Sequence, residues 1–383
     1  MKLILGFSIP LLFGNLFQQF YSMVDTMIVG RVLGTGPLAA VGSTGSITFL
    51  IIGFCLGLCS GFAIPVAQRF GSRDYKELRR FIGNAVWLCV GFGIVLTVLT
   101  VIFCRNILEF MDTPADIIDD AYAYLVVIFA GIPATFLYNM LAGIQRAIGD
   151  SRTPVVILVI ASIINIVLDI VLVVFIPMGV AGAAVATVAS QLIGGVVCLL
   201  YVSKHYEVLK MTREDFKINV PCIKRLLSMG LPMALQTSIT AIGSVILQAS
   251  VNSLGSTVVA SITAGSRLYM FFACAYDAMG VTMSTYSGQN IGARKIDRIG
   301  QGVKACNIVG IIYSVLALLI IVFLGKWMLL LFVDAGETAI INSAYWYLVC
   351  SGLFMIPLHS SMCCASIQGM GYSASRSLPC VCE

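Results

Sequence analysis

Charge is what this sequence has least of. Only 11% of its 383 residues are Asp, Glu, Lys or Arg, where a soluble domain carries about 25%. Histidine is nearly missing, with two in the whole chain. No H-E-x-x-H, no G-x-S-x-G and no Walker A sequence occurs, so zinc-peptidase, serine-hydrolase and directly ATP-driven chemistry have no footing. The chain reads as a non-enzyme that needs no cofactor. Its 13 cysteines lie mostly singly in apolar runs, where a small buried hydrophobe is their ordinary role. The close pairs, Cys363-Cys364 and Cys380/Cys382, lack zinc-type spacing and histidine partners. The net charge of +5 is dispersed among short loops, which excludes a nucleic-acid surface.

What remains is apolar, 59% of the chain. A membrane span takes about 20 such residues, and ten segments qualify, near 6–30, 37–66, 81–104, 121–147, 154–177, 179–203, 226–252, 257–286, 299–325 and 342–369. The first is interrupted by Asn15, Gln18 and Gln19 and is followed by no small-x-small cleavage site, so it reads as a span and not a signal peptide. Placing the N-terminus inside puts all of the 23 Lys and Arg on the cytoplasmic side except Arg31, Arg105, Lys326 and the intramembrane Arg267. That asymmetry orients the chain. The acidic stretch from Glu109 to Asp120 then lies outside.

The sequence also repeats. "AQRFGSRDYKE" from Ala67 matches "GQNIGARKIDR" from Gly288, pairing Gln68 with Gln289, Gly71 with Gly292 and Arg73 with Arg294. "AYAYL" from Ala121 recurs as "AYWYL" from Ala344, "IQRAIGDS" from Ile144 as "IQGMGYS" from Ile367, and Pro10 corresponds to Pro232. Six spans separate the copies. The halves therefore share one orientation, with an axis along the membrane normal and a substrate site between them, as in parallel-repeat transporters.

The stretches "IPLLFGNLFQQFYSMVDTMIVGR", "QRAIGDSRTP", "INIVLDIVLV", "GVAGAAVATVASQ" and "GQNIGARK" resemble the MATE (multidrug and toxic compound extrusion) family, over about residues 4–373. The resemblance implies an all-α polytopic membrane protein with a two-lobe MATE-like fold, about ten transmembrane helices here instead of twelve. Residues 1–203 would form an N-lobe, 204–225 a cytoplasmic linker and 226–383 an incomplete C-lobe. It implies a cation-coupled antiporter, driven by H⁺ or Na⁺, that exports drugs or toxic, mainly amphipathic cationic, small molecules. Its partners would be those molecules and the lipid bilayer. It would act as a monomer in the bacterial cytoplasmic membrane.

The coupling cation is assigned by the resemblance to Asp25, Asn165, Asp169 and Thr187. The residues support the same site. Asn165 and Asp169 are i,i+4 and share a helix face. At 1.5 Å per residue, Asp169 lies roughly 22 Å above Pro154 and Asp25 about 28 Å above Gly6, both in the outer half. Thr187 lies about 12 Å below Gly179. Two carboxylates, an amide and a hydroxyl thus reach similar depth, and their oxygens suit a hard cation such as Na⁺. The alternative is that Asn165, Asp169 and Thr187 only satisfy one another between helices.

Gln18, Gln19, Tyr21, Tyr138, Asn139, Gln236 and Arg267 are expected to supply polar cavity walls, with methionines as adaptable contacts. For Arg267 the alternative is a pairing with backbone carbonyls. Arg267 and Asp277, ten residues apart, do not share a face, and His359 is expected to pack by hydrogen bonding. Pro10, Pro133, Pro232 and Pro357 are candidate kinks. The repeat predicts a second half reaching about residue 425, and "SRSLPCVCE" is polar where an apolar helix should begin. Spans eleven and twelve are then absent; a frameshift near Ala374 is one explanation, and an incomplete sequence and a genuine ten-helix product are the others. The competing functions are a lipid-linked oligosaccharide flippase, which a basic hydrated cavity would favour, and a truncated, non-transporting remnant.

Overall fold

The architecture was taken from a computed structural model, which describes residues 1–111, 113–252, 256–330, 337–358 and 361–371. His359, Arg376 and the cysteine-bearing tail lie outside the described residues. Fourteen α-helices follow one another, and no strand occurs among the described residues. The first half holds α1 (Lys2–Val32), α2 (Thr35–Ser43), α3 (Gly45–Gly71), α4 (Tyr75–Ile102), α5 (Cys104–Phe110), α6 (Ile118–Ala130), α7 (Ile132–Ala147), α8 (Arg152–Asp169) and α9 (Val180–His205). The second holds α10 (Val220–Asn252), α11 (Ser256–Gly292), α12 (Ile296–Leu329), α13 (Thr338–Leu358) and α14 (Ser361–Gly369).

Ten spans were expected, and that count is not confirmed. Among the described residues, eight helices are long and apolar enough to cross a membrane, or nine if α6 and α7 count as one span bent by 45°. The bend has a local cause. Pro133 has no N–H to donate to Phe129, and Gly131 lets Val188 approach so closely that any Cβ there would overlap it. The segment expected at 37–66 is likewise split, at Thr44, whose hydroxyl donates to the Val41 carbonyl (2.7 Å) and competes with helix continuation. α11 has 37 residues, ample length, but carries Arg267 and Asp277 and is less apolar than the eight. On α4 and α12, Ile94, Val95, Val98, Ile312, Leu316 and Phe323 are exposed, the surface a lipid-facing helix presents.

The apolar interior divides into two main clusters. One gathers residues between Ala40 and Ala234; the other gathers residues between Ala264 and Met355 and takes in Ile4. The two meet at the end of the bundle where α1 begins and α3 and α11 finish, which also carries most of the Lys and Arg and is called the basic end below. There α3 packs on α10, α1 on α11, and α3 on α11. A Cβ on Gly57 would lie 2.6 Å from Ala234 Cα, and one on Gly61 2.5 Å from Gly230 Cα. Ser8 and Thr282 occupy the repeat positions of Gly230 and Gly61, and there the crossing is a hydrogen bond of 2.8 Å.

The repeat is clearest at the helix ends. Gln68 Nε2 donates to the Gly369 carbonyl (3.0 Å), and Gln289 Nε2 donates to the Ala147 carbonyl (2.8 Å). A Cβ on Gly71 would overlap the Gln289 backbone, and one on Gly292 the Gln68 backbone. Arg73 (φ 59°) and Arg294 (φ 58°) both adopt the left-handed conformation just past their helices. The following amides, of Asp74 and Lys295, reach back to Arg69 and Asn290 in Schellman closures.

The segment between α9 and α10 is docked on α4. Asn84 accepts from the Asn219 amide (2.9 Å) and donates to Arg80 O and Lys217 O, and Trp87 Nε1 donates to Phe216 O (2.9 Å). Asp215 caps its own turn through the Thr212 amide and hydroxyl, both at 2.8 Å, and faces Arg79 at 3.4 Å. Burial alone would push the Asp215 carboxyl up; the Thr212 hydrogen bonds and the Arg79 charge outweigh it and hold the group below the usual range. A depressed carboxyl stabilises above its unfolded value of about 3.9, so docking should weaken only below about pH 4. At neutral pH, Asp215→Asn should speed tryptic cleavage at Lys210, Arg213 and Lys217 about tenfold, the effect of losing charge-assisted hydrogen bonds. Unchanged cleavage would show that Asp215 does not hold the segment.

Candidate functional site

Asp25 lies on α1, Asn165 and Asp169 on α8 and Thr187 on α9; α8 packs against both α1 and α9. Asn165 and Asp169 are 1% and 0% exposed. Both carboxylate oxygens of Asp169, both side-chain polar atoms of Asn165 and one oxygen of Asp25 are buried with no hydrogen-bond partner among the described residues. Most buried polar atoms in proteins are satisfied, and leaving one unsatisfied costs about 1–3 kcal/mol. Five such atoms on two packed helices are therefore a strong departure.

Asp25 and Asp169 lie within electrostatic reach of each other, and Tyr21 and Tyr124 feel both. Tyr124, on α6, was not among the expected site residues; its only sequence signal was membership of the repeated "AYAYL". Backbone geometry adds to the picture. α8 ends at Asp169, and Ile170–Phe175 continue as a π-helical turn, with Ile176 N–H donating to Val171 O at 2.9 Å. Such wide turns are frequent at functional positions. The oxygen donors present fit a small hard cation, with two carboxylates to supply charge.

Beside this cluster lies a cavity of about 530 Å³ between α1, α3, α7, α8, α9 and α11. Gln18, Gln19, Tyr21, Tyr138 and Asn139 line it, as do Thr135, Gln191, Arg146 and Asp277. Thr135 Oγ1 donates to Gln191 Oε1 at 2.7 Å. Gln236 and Arg267 are not part of this lining. Gln236 instead accepts from Gln368 Nε2 at 2.9 Å, and Arg267 is exposed elsewhere on α11. Tyr21 joins the two features, since it lines the cavity and feels both carboxylates behind the wall.

The MatE family profile matches residues 10–171 and 232–375, two stretches that begin with the repeat-related Pro10 and Pro232. The chain belongs to the MATE family. Relatives of this MATE protein include the probable multidrug resistance proteins YoeA and YpnP of Bacillus subtilis (strain 168). The first is 31% identical over 340 residues, 87% of this chain and 73% of YoeA. The second is 28% identical over 349 residues, 90% of this chain and 77% of YpnP. In fold, the MATE chain is similar to a crystal structure of MATE in complex with MaL6 (TM-score 0.93, 24% identity, 99% of this chain and 85% of that one). It is equally similar to a multidrug resistance MATE transporter in an outward-facing conformation (TM-score 0.93, 23% identity, 99% and 84%).

Proposed function

We propose that this MATE-family transporter is a cation-coupled antiporter, in which H⁺ or Na⁺ bound by Asp25, Asn165, Asp169 and Thr187 drives release of a small molecule. The observation that carries this reading is the set of five unsatisfied polar atoms buried among apolar helices. Ionisable groups inside a membrane mark ion or substrate pathways, and two carboxylates in low dielectric repel when both are ionised. A bound cation relieves both penalties. Occupancy then feeds through Tyr21 and the π-helical turn to the cavity wall.

The basic end is proposed to face the cytoplasm, as the positive-inside rule requires, with the protein in the bacterial cytoplasmic membrane and its N-terminus inside. The 1–203 lobe carries the cation site, and α11 of the second half lines the cavity from the other side. Because the halves seal against each other at the basic end, the cavity would exchange with the outside in this conformation. The substrate class is bracketed by relatives. YoeA and YpnP are named for multidrug resistance, while a Shewanella oneidensis relative, 26% identical over 67% of its length, is named as an FAD transporter.

Dye efflux from cells expressing the chain tests the coupling. Efflux should fall at least tenfold when the Na⁺ and H⁺ gradients are both dissipated, and restoring one of them should restore it. A rate indifferent to both gradients would overturn the proposal.

A further inference from the structure

The Lys/Arg asymmetry placed Arg146 on the cytoplasmic side, and its backbone does lie at the basic end, one residue before α7 finishes at Ala147. The structure puts its side chain elsewhere. Side chains on a helix tilt toward the helix N-terminus, and α7 runs toward the basic end. Arg146 therefore points back into the bundle. Its Nη2 lies 3.9 Å from where a Gly143 Cβ would sit, on the face that packs against Cys59 and Ala63 of α3. Its electrostatic neighbours are Tyr138, Cys59 and Cys198, and it lines the cavity.

No carboxylate lies within 4.0 Å of this guanidinium, and no hydrogen bond to it occurs, among the described residues. Nearby Asp150 is already engaged by the amides of Arg152 and Thr153 and by the Tyr206 hydroxyl. Asp277, on α11 in the other half, lines the same cavity and makes no ion pair among the described residues. Among the described residues, the cavity lining thus holds a cation and an anion on opposite halves, with no ion pair between them. An unpaired charge in a membrane bundle is expensive and retained for function, and arginine is the side chain best shaped to grip a carboxylate or phosphate with two hydrogen bonds.

We propose that Arg146 is a specificity-determining residue that holds the anionic group of the transported molecule, with Asp277 facing its basic group. The substrate class is then amphoteric small molecules bearing a carboxylate or phosphate, not simple cations. This rests on reading the cavity as the transport site, and it is independent of the coupling ion.

A matched dye pair tests it. Rhodamine 110 carries a free carboxylate, and rhodamine 123 is its methyl ester. With the full chain in nanodiscs, fluorescence anisotropy should show rhodamine 110 bound about 10- to 100-fold more tightly, the range of a charge-assisted hydrogen-bonded contact. Arg146→Gln should erase that preference by weakening rhodamine 110 alone, and Arg146→Lys should keep part of it. Asp277→Asn should weaken both dyes. Equal wild-type affinities, no rhodamine 110 binding, or an Arg146→Gln variant that weakens both dyes equally would each overturn the proposal. A carboxylate preference that persists in a protein whose efflux ignores ion gradients would defeat the coupling proposal and leave this one standing.

Discussion

Asp169→Asn is expected to insert in the membrane normally and to lose at least 100-fold of gradient-driven efflux, and Asp25→Asn should do the same. Both variants keep the shape of the side chain and remove the charge that a cation answers. Because Asp25 and Asp169 sit within each other's field behind Tyr21, neither is replaceable by the amide that Asn165 already supplies. Thr187→Ala, which removes an uncharged donor, should cost only about tenfold, a contribution on the scale of one ordinary hydrogen bond. Stability should move the opposite way. Without a coupling cation, deleting one of two mutually repelling buried charges is expected to raise the thermal midpoint by a few degrees. Efflux close to wild type in Asp169→Asn, or a lowered midpoint in both variants, would remove the coupling role.

Gly71→Val and Gly292→Val are expected to have the largest effect on conformation. At each position the added side chain would overlap the backbone of the opposing helix, at Gln289 and Gln68 respectively, and a backbone cannot turn aside as a side-chain tip can. Overpacking of this kind costs about 1–3 kcal/mol. Charged to the state in which the basic end is sealed, that energy shifts the population toward the open form by about 10- to 100-fold. Hydrogen exchange is the measurement. Either substitution alone should accelerate exchange of the amides at both Arg73–Asp74 and Arg294–Lys295, since both turns belong to one crossing. Wild-type protection in both turns would show that the glycines are not what seals this end.

Helices were easy to read from the sequence because the bilayer leaves few alternatives: a long apolar run must satisfy its own backbone. What escaped were the interruptions. Pro133 was visible as a kink, yet the 45° break also needed Val188 pressed on Gly131, a contact between α6 and α9 that no local pattern announces. The split at Thr44 had a warning in Gly34, Gly36, Gly42 and Gly45, crowded around Pro37. Asp25, Asn165 and Asp169 stood out since each is polar within an apolar run. Arg146 did not, because counting residues locates a Cα while its function depends on which way the helix runs. Gln236 was expected in the cavity wall, but a partner distant in sequence, Gln368, already takes its side-chain oxygen.

The reciprocal glutamine clasp at the basic end has an ancestral reading. Gln68 reaches into the second half and Gln289 into the first, each for a backbone carbonyl at the matching repeat position. A surface that contacts its own copy in this way is isologous, the arrangement of a two-fold homodimer. A single half-length chain could have formed the same seal from two identical subunits. The seam pairs like with like, and away from it the halves differ: Asp25 on α1 corresponds to an apolar position near Ile246 in the second half.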